Sequence, residues 1–205
     1  MISAQFLLTA LVVVIAPGTG VVYTLALGLG RGRRAALAAA TGCTFGIVPH
    51  LAAATLGLAA VLHTSAVLFN AVKWAGVAYL LWMAWGALRQ TGALAVKPAA
   101  PSADGLIRIA VRGALINVLN PKLSIFFLAL LPPFLSGDPA TATLEMAGLG
   151  AVFMAMTWGV FVLYGLFASA FRDRVLSSAR AMAWLNRAFA GVFAALAVRL
   201  ATERA

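Results

Sequence analysis

The sequence predicts an all-α integral membrane protein with six transmembrane helices, arranged as two inverted three-helix repeats in which helices 1 and 4 are broken at proline. Three observations lead to this prediction: an apolar composition, regularly spaced apolar runs, and two prolines inside such runs. Of the 205 residues, 63% are hydrophobic and only 10% are charged. Soluble domains are roughly 45–50% apolar, so the composition alone favours a membrane protein.

Apolar runs long enough to cross a bilayer recur along the chain. A transmembrane helix needs about 20 mostly apolar residues. The segments that meet this requirement are 5–30, 35–62, 66–88, 109–135, 144–171 and 183–200. The last is the weakest, because Arg187 and Arg199 interrupt it. The N-terminus lacks the basic residues of a signal peptide, so we expect the first run to be kept as a span.

The distribution of charge predicts the orientation of these spans. The net charge is +10, and most of the 15 Lys and Arg residues fall after the first, third and fifth predicted spans. The loops around His63 and at 136–143 contain no Lys or Arg. Basic loops face the cytoplasm, which places the N- and C-termini outside. The basic residues form no continuous face with interleaved aromatics, so we do not expect nucleic acid to be a partner. The expected partner is the lipid bilayer.

The chain is expected to form a single translocator domain, 1–205, built from two halves. Residues 1–88 form the first three-helix half, 109–205 form the second, and 89–108 form a proline- and glycine-containing cytoplasmic linker. Each half crosses the membrane an odd number of times. Two structurally related halves would therefore run in opposite directions.

The fourth predicted span holds the main candidate for a solute site. Pro121 removes a backbone N–H and displaces the carbonyl four residues earlier, and lipid offers no substitute partner. Asn117, Asn120 and Lys122 surround this position. An ammonium at mid-span costs roughly 2.5–3.5 kcal/mol on insertion scales unless it is paired. These residues are therefore candidates for substrate binding; the alternative is a tolerated kink with Lys122 reaching to an interface.

The first predicted span repeats this feature. Pro17, Gly18 and Thr19 combine a helix breaker with a glycine and a hydroxyl near the middle of the run. A tolerated kink is again the alternative. However, breaks at corresponding positions of two halves place helix ends at the substrate site of many transporters. Pro17, Gly18 and Thr19 are therefore the other candidates for substrate binding.

Two further ionisable residues lie inside predicted spans. His50 is deep in the second span and can exchange protons near neutral pH, so it is the candidate proton-coupling residue; the alternative is a hydrogen bond to a neighbouring helix. Lys73 lies about 12 Å from the outer end of the third span at ~1.5 Å per residue. We expect it to bind substrate in the same cavity or to stabilise a gate, with snorkelling as the alternative.

No catalytic residue, metal site or cofactor is expected. Ser124 lacks a Gly-x-Ser-x-Gly setting, and the predicted spans lack a carboxylate pair or a His/Glu metal motif. The single cysteine, Cys43, offers neither an internal disulfide nor a Cys/His cluster. The chain is therefore not expected to be an enzyme. It also lacks a phosphate-binding loop, so active export would need a coupled ion.

These motifs together resemble a known family. The pattern comprises Pro17-Gly18, a glycine- and histidine-bearing second span, Lys73-x-x-Gly76-x-x-Tyr79-Leu80, and Asn120-Pro121-Lys122 followed by Phe126, Phe127 and Pro132. It is similar to the lysine exporter (LysE) superfamily, above all to its threonine/homoserine-type amino-acid efflux branch. Thr19 departs from the Pro-Gly-Pro that this family commonly has at the first break, which bears on the substrate more than on the fold.

The resemblance carries its own expectations. It implies a homodimeric exporter in the cell inner (plasma) membrane that moves neutral or basic amino acids, such as threonine, homoserine, lysine or leucine. It also implies that protons drive the export by antiport. Related families of the superfamily export metal ions, so an exporter or channel for metal cations or other small solutes is the alternative.

Overall fold

The computed structural model describes residues 2–16, 18–62, 66–89, 99, 104–170, 187, 190–191, 194–195, 197–198 and 201–202. Within these residues the protein is all-helical and contains no strand. The α-helices are α1 (Ala4–Ile15), α2 (Thr19–Arg31), α3 (Arg33–Phe45), α4 (Val48–Leu62), α5 (Ala66–Arg89), α6 (Leu106–Val118), α7 (Pro121–Ile125) and α8 (Pro139–Ala170). A π-helical stretch, Phe126–Leu130, continues from α7 and is followed by a 3-10 turn at Pro132–Phe134.

Two helical segments are long and apolar enough to cross a membrane: Arg33–Gly57 with 25 residues and Pro139–Ala170 with 32. Two pairs of shorter helices pass the same test together. The α1–α2 pair bends by 56°, and α6 bends by 53° relative to Pro121–Leu130. The described part of the chain thus holds two candidate spans, or up to four if each bent pair is one span. Most of the predicted sixth span and of the linker lies outside the described residues.

The helix α8 is the centre of the described bundle. It packs against α1, α2, α3 and α4. Phe153, Thr157 and Phe161 are buried on it at intervals of four residues, so they lie on one face. The ring of Phe153 stacks on Phe126 with centroids 4.2 Å apart and meets Phe127 edge-on at 5.3 Å. These contacts fix the start of the π-helical stretch against α8.

Glycines bring α3 into backbone contact with α6. A Cβ on Gly42 would overlap the carbonyl oxygen of Ala110, and a Cβ on Gly46 would overlap that of Ala114. The Cβ of Asn117 would lie only 2.8 Å from a Cβ on Gly46. Side chains larger than hydrogen would therefore force the two helices apart. Their close approach holds Asn117, at the end of α6, against α3.

An ion-pair cluster joins the end of α2 to the start of α6. The Arg31 guanidinium donates to the backbone carbonyl of Asp104 at 2.7 Å. The Asp104 carboxylate pairs with Arg108 at 2.8 Å and with Arg112 at 2.7 Å. The basic residues at the end of α2 and at the start of α6 consequently lie at the same end of the bundle.

Candidate functional site

Side chains from α7 and α8 satisfy the carbonyl groups at the end of α1. This helix ends at Ile15, with Ala16 as its C-cap residue, and α2 begins at Thr19. The last carbonyls of a helix have no helical N–H partner. The hydroxyl of Tyr164 donates to the Ile15 carbonyl at 2.9 Å, and the ammonium of Lys122 donates to the Ala16 carbonyl at 2.9 Å. Thus a charged side chain from α7 holds the junction between α1 and α2.

A side chain from α4 performs the same task where α6 meets α7. In a continuous helix the Asn117 carbonyl would accept from the N–H of residue 121, but Pro121 has none. The carbonyl instead accepts from the backbone N–H of Asn120 at 3.0 Å and lies 2.8 Å from Nε2 of His50. Because a carbonyl can only accept, Nε2 carries the proton. His50 thereby replaces the missing backbone donor.

The start of α7 is built by a local cap. Asn120 is the N-cap residue, and its side-chain oxygen accepts from the backbone N–H of Lys122 at 3.1 Å. Pro121 occupies the first position of the helix, where its fixed φ and missing N–H cost least. This cap fixes the backbone from which the Lys122 side chain extends toward Ala16.

The side chain of Asn117 has one unsatisfied polar atom. Asn117 is only 2% exposed, and its Nδ2 donates to the Cys43 carbonyl at 2.7 Å. Its Oδ1 has no hydrogen-bond partner among the described residues. A Cβ added to Gly20 would lie 2.6 Å from this oxygen. A buried acceptor without a donor costs about 1–3 kcal/mol, so this oxygen is suited to a donor from a bound molecule.

The unsatisfied oxygen and the ammonium line the same cavity, whose volume is about 20 Å³. The cavity walls are Val13, Val14, Ala16, Gly18, Gly20, Val21, Asn117, Asn120, Lys122, Leu123, Phe153, Thr157 and Phe161. Such a volume accepts about one water molecule and is too small for an amino acid. In this structure the helix ends therefore lie close together around the site and leave no room for an amino acid.

The N-terminus of α2 adds positive potential to this cavity. Its N-cap, Gly18, has no side chain with which to bond the first N–H groups of the helix. Gly20 and Val21, in the first turn, line the cavity, and a Cβ on Gly18 would lie 4.0 Å from Nζ of Lys122. Helix N-termini favour anions. The ammonium and the helix end together make one side of the cavity suited to a carboxylate.

The structure brings several of the predicted binding residues together and leaves others apart. The predicted residues that line the cavity are Gly18, Asn117, Asn120 and Lys122. Thr19 and Pro121 are exposed at the first positions of α2 and α7. Pro17 lies outside the described residues. The predicted substrate-binding group therefore converges from α2, α6 and α7.

The two other predicted residues lie away from the cavity lining. His50 is linked to it through the Asn117 carbonyl. Lys73 is buried on α5, with its ammonium 5.5 Å from the centroid of the Trp74 ring, and does not line the cavity. The helix that carries Lys73 packs against α4 and against the π-helical stretch. Any effect of Lys73 on the cavity would thus pass through those neighbours.

Sequence reasoning missed two hydroxyl groups at this site. Ser124 lies 2.9 Å from Nδ1 of His50, and Tyr164 caps Ile15. Ser124 follows Pro121 by about one helical turn, and Tyr164 stands inside a long apolar run. A hydroxyl in such a setting needs a partner. That requirement could have identified both residues as candidates from the sequence, although it could not have predicted their partners.

Comparison with known proteins identifies the family. Residues 11–204 match the model of the LysE type translocator family. The chain is 33% identical over 204 residues to an uncharacterized membrane protein of Vibrio cholerae serotype O1, covering 98% of this chain and 96% of that protein. It is 29% identical to a homoserine/homoserine lactone efflux protein of Salmonella typhi (97% and 95% covered) and 28% identical to a leucine efflux protein of Enterobacter sp. (96% and 93%). No solved structure matches the chain. Because the family model covers almost its whole length, this chain belongs to the LysE type translocator family.

Proposed function

We propose that this chain exports amino acids from the cytoplasm across the inner (plasma) membrane in exchange for protons. Its family is one of translocators, and two of its relatives are named as efflux proteins for homoserine or its lactone and for leucine. The observation that carries the proposal is a cavity that places the ammonium of Lys122 and the unsatisfied oxygen of Asn117 on its walls. These groups complement the two charges of an amino acid.

The polar walls match the invariant part of an amino acid. Its carboxylate would bind Lys122 and the N-terminus of α2, and its ammonium would donate to Oδ1 of Asn117. A hydrogen bond to a charged group contributes about 1.5–3 kcal/mol. Binding the carboxylate would also replace the bond from Lys122 to the Ala16 carbonyl. Substrate would therefore loosen the junction between α1 and α2.

The remaining walls favour a neutral substrate side chain. They are apolar except for the Asn120 amide and the Thr157 hydroxyl, and none of the described lining residues is acidic. A lysine side chain would bring a second ammonium into a cavity that already holds Lys122, without a carboxylate to pair with it. Among the neutral and basic amino acids, neutral ones are therefore the favoured substrates.

The proposed architecture is that of six spans in two inverted three-helix halves, 1–88 and 109–205, joined by the cytoplasmic linker 89–108. Two bent helix pairs meeting at one cavity support this arrangement, since discontinuous helices meet at the substrate site in such transporters. The arginines clustered at the end of α2 and the start of α6 support a cytoplasmic location for this end of the bundle, with both termini outside. The proposal includes a homodimer, which the family resemblance implies.

Opening the closed cavity requires movement of the helices around it. We assign Lys73 to this movement, because α5 packs on the π-helical stretch that continues α7. His50 is the proposed proton-coupling residue, because it bonds the junction of α6 and α7 at Asn117. A proton taken up from outside would place a positive charge beside α7, repel Lys122 and the substrate ammonium, and favour release. Inward opening would then deliver the proton to the cytoplasm.

Everted membrane vesicles test this function directly. With the lumen acidified and the membrane potential held at zero, labelled leucine and homoserine should accumulate. The limit is about tenfold per pH unit for exchange with one proton. Labelled lysine should accumulate less. Vesicles without the protein and vesicles treated with a proton carrier serve as controls. Accumulation of a divalent metal instead of amino acids, or amino-acid uptake that ignores the pH gradient, would contradict the proposal.

A further inference from the structure

We infer that Ser124 is a positioning residue for proton coupling: Ser124 holds His50 in one tautomer and relays the proton to Nδ1 of that ring. The inference rests on the proposed proton-coupled export and adds to it a residue and a direction of proton entry. Its basis is the two-sided contact of the imidazole ring: Nε2 lies 2.8 Å from the Asn117 carbonyl and Nδ1 lies 2.9 Å from the Ser124 hydroxyl.

The two ring nitrogens have unequal roles. The Asn117 carbonyl can only accept, so Nε2 keeps its hydrogen in the neutral and in the charged ring. Asn117 is buried, at 2% exposed, so this side of the ring faces the protein interior. The neutral ring therefore presents its lone pair at Nδ1, where the Ser124 hydroxyl donates. A proton can only be added on the Ser124 side.

The transfer is balanced at each atom. A hydronium ion on the far side of Ser124 gives a proton to Oγ and becomes water, while the Ser124 hydroxyl passes its own proton to Nδ1. The ring gains one positive charge and the hydroxyl is restored. Nδ1–H then donates to Oγ, and the hydroxyl can turn to the carbonyl four residues earlier on its own helix, that of Asn120. Ser124 thus serves both ring states with one rotation.

Charges around the ring determine what protonation does. The ionisable residues on helices packed against α4 are Lys73, Tyr79 and Arg89 on α5, Lys122 on α7, and Glu145 and Tyr164 on α8. The Glu145 carboxylate accepts from Ser136, in the loop before α8, and from Thr141, in the first turn of α8. Lys122 stands two residues before Ser124 on the same short helix. A charged His50 would therefore repel the helix that carries its own proton donor.

Matched serine variants test this assignment. Ser124→Ala should lower pH-driven accumulation in everted vesicles about tenfold, the loss expected for one hydrogen bond to a charged group. The pH of half-maximal accumulation should fall, because the charged ring loses its acceptor. Exchange of labelled for unlabelled substrate without a pH gradient should stay within about twofold. Ser124→Thr should restore accumulation. Ser169→Ala is the control, since within the described part of the chain that hydroxyl bonds the Leu166 carbonyl of its own helix.

The failures of the two proposals are distinguishable. If His50→Gln keeps pH-driven accumulation, His50 is not the coupling residue and the proposed function is wrong at that point. If His50→Gln loses accumulation but Ser124→Ala keeps both its level and its pH profile, only the role of Ser124 is wrong. An equal loss of accumulation and exchange in Ser124→Ala would show that Ser124 has a structural role and no role in proton coupling. If Ser124→Ala fails to insert into the membrane, the same measurements are made on Ser124→Cys, whose thiol is a weak hydrogen-bond donor.

Discussion

The two helix junctions of this protein are satisfied by different kinds of side chain. Where α1 meets α2, the caps are the Lys122 ammonium and the Tyr164 hydroxyl. Where α6 meets α7, the cap is the His50 imidazole, backed by Ser124. Both solve the same problem, because a carbonyl without a partner is costly in a membrane. They differ in chemistry: one cap is an ammonium, and the other is an imidazole ring, which has a second nitrogen on its far side.

In the proposed mechanism this difference separates substrate binding from proton coupling. The ammonium, which lines the cavity, would exchange its carbonyl partner for a substrate carboxylate. The imidazole lies behind Asn117 and reaches the cavity only through that residue. A change at the first junction should therefore alter transport under all conditions. A change at the second should alter chiefly its response to pH.

The largest effect is expected at the charged cap. Lys122→Met should lower both accumulation and exchange about 10- to 100-fold, because a charge-assisted bond of about 1.5–3 kcal/mol to the substrate is lost. Membrane insertion should not suffer, since an ammonium at mid-span costs roughly 2.5–3.5 kcal/mol on insertion scales. Lys73→Met is the comparison and should lose less, because Lys73 lies outside the cavity lining. Equal losses in vesicle assays would remove the distinction between the two lysines.

A smaller effect is expected where the first junction touches Asn117. A methyl group at Gly20 would lie 2.6 Å from Oδ1 of Asn117 and 2.9 Å from the Phe161 ring. Overpacking of this kind typically costs about 1–3 kcal/mol, so Gly20→Ala should lower the melting temperature and reduce export about tenfold. Gly57→Ala is the matched control on α4, where no described atom lies within 4 Å of an added Cβ. Wild-type export by Gly20→Ala would show that Asn117 is not held against α2 during transport.

The site shows what a sequence can and cannot predict. The composition was enough to predict a membrane protein. The grouping of Asn117, Asn120 and Lys122 could also be predicted, because these residues are near neighbours in the chain. Their partners could not. Ser124 and His50 are 74 positions apart, and Tyr164 and Ile15 are 149 apart. Such pairs depend on helix packing, which no local pattern encodes.

The smallest effect is expected at the neutral cap of the first junction. Tyr164→Phe removes the hydrogen bond to the Ile15 carbonyl but keeps the ring. Hydrogen bonds between membrane helices average about 0.6 kcal/mol, and about 1 kcal/mol shifts the melting temperature of a protein this size by about 2–4 °C. The variant should therefore melt about 1–3 °C lower in detergent and retain at least about half of its export.

Tyr79→Phe is the control for the loss of a hydroxyl, because Tyr79 lies on α5 and is not among the residues that line the cavity. The comparison between Tyr164 and Lys122 isolates charge, since both cap neighbouring carbonyls at 2.9 Å. If capping a carbonyl were the only role of these two side chains, Tyr164→Phe and Lys122→Met would lose similar amounts of export. If Tyr164→Phe lost export as completely as Lys122→Met while melting normally, the hydroxyl would have to contact substrate. The binding site would then extend along α8 beyond the residues that line the closed cavity.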